Sequence, residues 1–116
     1  MIIKKIEAVH PAPVEMEGAK DVSVRVIFGP QDAAPTFAMR VFELAPGGHT
    51  PFHTHPFEHQ AVALSGSIGL VTPDGTQSLA PGDMLLIMPE EKHQFKNLSS
   101  TDPARFICLV PIAYQK

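Results

Sequence analysis

The sequence predicts an all-β domain, a sandwich or barrel of short strands. Three observations predict it. Proline makes up 12 of 116 residues, scattered from Pro11 to Pro111. That is about twice average usage, and a proline inside a helix removes a hydrogen bond and clashes with the preceding turn. Apolar runs recur at intervals of about 8–12 residues between turn residues, the spacing of small antiparallel folds. Asp74-Gly75, flanked by such runs, is a strong hairpin signal.

Residues 2–9 read as an edge strand whose apolar run is broken by Lys4 and Lys5. His10-Pro11-Ala12-Pro13 ends it. Residues 22–28 alternate, with Val22, Val24 and Val26 on one face, Ser23 and Arg25 on the other, and Ile27 breaking the polar face. Gly29-Pro30 stops this strand. Residues 36–44 are apolar and aromatic, with Arg40 and Glu43 as their charged members, and Ala45-Pro46-Gly47-Gly48 reads as a turn. Residues 53–65 follow, interrupted by Pro56. Residues 67–71 and 76–79 flank the hairpin turn, and Ala80-Pro81-Gly82-Asp83 makes another. Residues 84–88 form a fully apolar strand, and 93–96 and 104–112 complete the set. The expectation is eight to ten strands in one domain, 1–116, without linker or repeat.

Hydrophobic residues are 44% of the chain and charged residues 18%, which suits a folded domain. The net charge is −3 and no basic cluster exceeds Lys4-Lys5, so neither nucleic acid nor an anionic membrane is an expected partner. A single cysteine, Cys108, excludes an internal disulfide framework and fits a reducing compartment. The first residues lack the apolar core of a signal peptide, and no apolar run is long enough to span a bilayer. A cytoplasmic location is the expectation.

Of six histidines, His49, His53, His55 and His59 crowd into one short window. Residues two apart on a strand share a face, so His53 and His55 are expected to point together. His59 has the same parity, and an antiparallel barrel can bring His93 back to face them. Neutral imidazoles suit Mn, Fe, Co, Ni, Cu and Zn. Buried without partners, each would cost about 1–3 kcal/mol; around a cation they become a binding site. His10 reads as peripheral and His49 as a loop residue.

The segment Pro46-Gly47 through Gly66 resembles the first cupin motif. Gly47 leads to His53-Thr54-His55, His59 stands where an acidic ligand is usual, and Gly66 closes the spacing. Gly82, His93 and Asn97 fall in register with the second motif, 82–97. There Pro89 is displaced by one, and Glu90 stands where glycine is usual, so the turn before His93 is expected to differ in shape. The likeness runs from Pro46 to Asn97 and looks nearest to small stand-alone bacterial cupins with a four-histidine site. It implies a double-stranded β-helix, or jelly-roll barrel. It also implies one divalent transition metal per chain (Mn, Fe, Ni, Cu or Zn), held by His53, His55, His59 and His93. Small cupins are commonly homodimers, and covering exposed sheet edges favours the same state, with the N- or C-terminal strand at the interface.

Four neutral ligands leave a divalent ion its full charge, which suits an anionic oxygen ligand such as a carboxylate or enolate. Ala61 and Ala63 share the parity of His59 and leave room beside it. Phe95, Phe106 and Cys108 are candidate pocket walls, and Arg40 is a candidate catalytic residue that could bind a carboxylate. Two activities are compatible with such a site and its small-molecule ligand. One is a metal-dependent, dioxygenase-like oxidoreductase acting on a small oxygen-rich or aromatic compound. The other is a non-redox isomerase, lyase or small-ligand binding module.

Overall fold

A computed structural model describes residues 1–115. Its strands, all antiparallel, are β1 (Ala12–Pro13), β2 (Lys20–Phe28), β3 (Phe37–His49), β4 (His59–Ser65), β5 (Ile68–Thr72), β6 (Gly75–Leu79), β7 (Met84–Ile87), β8 (Gln94–Asn97) and β9 (Ala104–Pro111). They form one curled sheet in the order β6-β5-β8-β3-β9-β4-β7, with β2 joining β3 and β1 joining β2. The architecture is a jelly-roll barrel, as the sequence led us to expect. No helix among the described residues is long and apolar enough to cross a membrane.

The barrel turns on β3. Its first part, Phe37 to Leu44, pairs with β9, and Arg40 to Leu44 also pair with β2. Its last residue, His49, pairs with Lys96 of β8. Between them lies Ala45-Pro46-Gly47-Gly48, read from sequence as a turn. The chain bends there and the strand continues into the opposite wall. Gly47 takes φ +73°, which a side chain would resist. A Cβ on Gly48 would lie 2.7 Å from the Asp21 carbonyl, so the bend needs both glycines. The β2–β3 register accordingly jumps from Val22↔Leu44 to Lys20↔His49. Leu44, Ile68, Phe95, Ala104, Phe106, Cys108 and Val110 fill the space between the walls.

Other expectations need correction. Residues 2–9 are not a strand; Ile6–Ala8 is a 3₁₀ turn. Side chains replace the ladder bonds: Lys4 Nζ donates to Ile27 O and to Asp32, both at 2.7 Å, Arg25 Nε donates to Val9 O at 3.0 Å, and Glu7 pairs with Arg105 at 2.7 Å. The two-residue β1 instead lies in the proline-rich stretch read as a terminator. Ile27 is the extra residue at a register shift between Val26 and Phe28, and it is buried while Val24 and Val26 are only half-buried. β7 is apolar but is the edge strand beside β4, leaving Met84 80% and Leu86 53% exposed.

Candidate functional site

Backbone pairing, not strand parity, assembles the histidines. His53 and His55 precede β4 and lie in irregular chain, contrary to the expected strand from residue 53. His53 N donates to His93 O and His93 N donates to His53 O, each at 3.1 Å. Thr50 extends the pairing: its N donates to Phe95 O, and its Oγ1 accepts from Phe95 N, both at 2.9 Å. Glu90 N donates to His55 O at 2.8 Å, and Glu90 holds φ +66°. Glutamate thus adopts the left-handed conformation that glycine favours, and its presence does not push the turn out of that conformation. His59 opens β4 and is buried, with Ala61 and Ala63 buried beyond it along the same face.

His53, His55 and His93 each present one ring nitrogen within 4.8 Å of the others. His55 Nδ1 lies 2.7 Å from Phe57 O, and His93 Nδ1 lies 2.8 Å from Glu91 O. A carbonyl only accepts, so in the neutral rings both Nδ1 atoms carry hydrogen and both Nε2 atoms are bare lone pairs. Such an outer acceptor is the usual support of a metal-binding histidine. His59 adjoins this group, its Nε2 2.7 Å from His55 Nε2. Two imidazole nitrogens at that separation share either a proton or a common cation. The donor set therefore fits a transition metal.

Burial favours the neutral form of His53, His55 and His59. It pushes the His53 and His55 pKa values down, and the neighbouring histidines add to the effect. His59 is pushed from 6.5 down to about 2, chiefly by burial, then by the charges of His55 and Arg40. Burial raises the Cys108 thiol, against an opposing pull from Arg40.

The rings line a cavity of about 370 Å³ that also exposes Arg40, Phe42, Phe57, Phe95, Phe106 and Cys108. Arg40 and Cys108 are cross-strand partners on β3 and β9, and both side chains turn inward. Arg40 Nη2 donates to Cys108 Sγ at 3.3 Å, and its guanidinium lies 4.9 Å from the Phe42 ring centre. Its Nε is buried and has no hydrogen-bond partner among the described residues. Phe106 stacks on Phe95 at 4.1 Å and on Phe42 at 5.0 Å. Phe95 and Phe106 thus belong to the core and to the cavity wall at once.

Three aromatic wall residues escaped the sequence reading. Phe42 had a usable signal, being two residues from Arg40 on one strand. Phe57 stacks on the His55 ring at 4.0 Å and on Tyr114 at 4.1 Å. Tyr114 lies in a terminal 3₁₀ turn, Ile112–Tyr114, with no pattern to announce it. His49 is not a loop residue but the end of β3; its Nδ1 is 3.2 Å from Thr50 O, away from the cluster. His10 is exposed. Asn97 of the second motif is structural: its Nδ2 donates to Leu44 O at 3.1 Å, Ala45 O at 3.2 Å and Asp102 O at 2.8 Å.

Comparison with known proteins follows the same lines. A family profile described as the Cupin domain matches residues 40–110. The polyketide cyclase RemF from Streptomyces resistomycificus is 33% identical with a TM-score of 0.90, over 97% of this chain and 80% of that one. A cupin 2 conserved barrel domain protein from Rhodopseudomonas palustris is 27% identical with a TM-score of 0.77, over 93% of this chain and 73% of that one. The 1-methylthio-D-xylulose 5-phosphate methylsulfurylase of Rhodospirillum rubrum is 29% identical over 65% of this chain, which spans 47% of that protein. With its barrel, its paired motifs and the profile match across more than half its length, the chain belongs to the cupin-domain family.

Proposed function

We propose that the chain is a metal-dependent enzyme for a small, oxygen-rich, enolisable or aromatic acid, and that its chemistry is non-redox cyclisation or lysis. The observation that carries this reading is Arg40. A guanidinium whose best partner is a thiol, and whose buried Nε has none, stands in the same cavity as the imidazoles. A thiol is a weak acceptor, and a buried donor left unpaired is costly. An anionic oxygen of the substrate would satisfy it. Likeness to a polyketide cyclase supports the same substrate class.

His53, His55, His93 and His59 would hold one divalent transition metal, all as neutral nitrogen donors. Bound there, it supplies Lewis acidity toward a carbonyl or enolic oxygen. The chain's own residues do the rest. Arg40 binds and orients the acid group; the Phe42-Phe106-Phe95 stack packs against a planar carbon skeleton; Phe57 and Tyr114 cover the His55 side and exclude water. A second reading, a dioxygenase-like oxidoreductase, is favoured by the all-nitrogen donor set, which also suits Fe, Mn and Cu.

The deciding experiment has two parts. Metal content is measured on protein purified without added metal, and an enolisable poly-β-keto acid is then offered with and without oxygen. Conversion unaffected by anaerobiosis supports the cyclase or lyase reading; oxygen uptake in step with substrate loss supports the second. Calorimetric titration with salicylate tests Arg40. Arg40→Met is expected to weaken binding about tenfold, a loss of one charge-assisted contact, and unchanged affinity overturns the assignment.

We also propose a homodimer, with its interface on the outer face of β7, β4, β9 and β3. An apolar groove of about 540 Å³ there is lined by Met39, Val62, Met84, Leu86, Ile107 and Leu109, with no charged side chain. Two copies, each of net charge −3, can meet on it without like-charge contact. The open edge of β7 carries no lysine or proline to block pairing.

A further inference from the structure

His59 differs from His55 and His93 in what its second ring nitrogen touches. Those two face backbone carbonyls, whereas His59 Nδ1 lies 3.0 Å from Cys108 Sγ. A thiol can donate or accept. If the thiol donates, the His59 proton sits on Nε2, directed at the bare Nε2 of His55 at 2.7 Å, and that nitrogen cannot bind a cation. If the ring donates, Nε2 is free. Two contacts favour the second arrangement. Arg40 Nη2 already donates to the sulfur at 3.3 Å, marking it as an acceptor in this pocket. The Leu109 carbonyl, 3.8 Å from Sγ, offers the thiol hydrogen another place to turn.

We infer that Cys108 is a positioning residue for His59: its sulfur accepts the Nδ1 hydrogen and fixes the ring with Nε2 free toward His53, His55 and His93. The inference rests on the reading above in which His59 joins the metal-binding set. The protons balance. Relative to the other tautomer, one proton leaves Nε2 to solvent, one from solvent is taken up at Nδ1, and the thiol keeps its own, turned to Leu109 O. The ring stays neutral throughout. On β9, Cys108 thus has the part played for His55 and His93 by the carbonyls of Phe57 and Glu91. Because Cys108 is 1% exposed, solvent cannot substitute for it.

The test compares wild type, Cys108→Ala and Cys108→Ser by Co(II) titration against a competing chelator, with the visible spectrum of the Co(II) form as second readout. Loss of an outer hydrogen-bond partner typically weakens metal binding about 10- to 100-fold. That loss, with an altered spectrum, is expected for Cys108→Ala. Cys108→Ser keeps an acceptor and is expected to recover most of the affinity and the wild-type spectrum. Wild-type affinity and spectrum in Cys108→Ala overturn the inference, as does a Cys108→Ser as weak as Cys108→Ala. Should the alanine variant not fold, the serine variant decides: a wild-type spectrum supports the role, an altered one overturns it. Wild type that binds no Co(II), or a His53→Ala/His93→Ala variant that binds it fully, overturns the metal centre itself in chains that retain Cys108.

Discussion

His53 and His93 exchange both of their backbone hydrogen bonds, N to O at 3.1 Å in each direction. One belongs to each motif, so the main chain itself fixes how far apart their imidazoles stand. Substituting the side chains removes donors and leaves this bridge in place. His53→Ala/His93→Ala is expected to fold, to carry less than a tenth of the wild-type metal by elemental analysis, and to lose the stabilisation that added metal gives wild type. Full metal content in this variant would falsify the centre.

Acid should destabilise the metal-free fold. Burial holds the His59 pKa at about 2, and those of His53 and His55 below their ordinary 6.5. Below about pH 6.5 the unfolded chain binds more protons at these rings than the folded chain does. Their contribution is therefore complete above pH 6.5 and is lost progressively as pH falls toward 2. A lower Tm at pH 5 than at pH 7.5 is expected for protein stripped of metal; equal values would contradict the burial of these rings.

Asn97 holds the bend of β3 to the chain before β9 through Leu44 O, Ala45 O and Asp102 O. Asn97→Ala removes the side-chain donor from the buried Leu44 O and from the partly buried Ala45 O and Asp102 O. Its expected cost is about 3 kcal/mol in urea denaturation. A loss below about 1 kcal/mol would show that these carbonyls find other partners.

Two left-handed positions should respond with opposite signs. Gly66 has φ +83°, and a Cβ there would lie 2.6 Å from Pro103 O. Gly66→Ala is expected to cost about 2–3 kcal/mol or more, through strain and clash together. Glu90→Gly relieves φ +66° and is expected to gain about 0.5–1 kcal/mol after glycine's entropy is counted. Equal effects in thermal melts would mean the backbone relaxes at both sites.

The dimer is tested by light scattering. Wild type is expected at twice the mass of 12.6 kDa. Met84→Glu/Leu86→Glu, two side chains already exposed in the single chain, should shift it to monomer with little loss of fold. A monomeric wild type would end the proposal.

Most of the barrel was legible because its signals are local. Prolines exclude helices, Asp74-Gly75 joins β5 to β6, and alternation marks β9, where Ala104, Phe106, Cys108 and Val110 are all buried. What misled was chain whose hydrogen bonds are settled elsewhere. Pro46-Gly47-Gly48 reads as a stop, yet Gly47 N donates to Ser99 O at 3.1 Å and the strand carries on. Residues 84–88 read as an apolar strand, but nothing in those residues says that only β4 pairs with Met84 to Ile87. At the site, motif spacing named His53, His55 and His93, which the fold brings together, with His59 beside them rather than within the group, whereas strand parity gave the wrong reason for the convergence of His53 and His55. Parity also cannot tell which face of an apolar strand looks inward. Only the pairing of Arg40 with Cys108 across β3 and β9 turned the guanidinium toward the cavity.

The passage of β3 from one wall into the other bears on how fast a ligand can come and go. Two walls joined by an unbroken main chain cannot part like a hinged lid without tearing their shared ladder. Ligands then come and go past side chains of the lining such as the half-buried Val14 and the exposed Met16 and Tyr114. Side-chain rotation there takes picoseconds to nanoseconds where exposed. Residence times in such a barrel follow from what the imidazoles and Arg40 hold rather than from a parting of its walls.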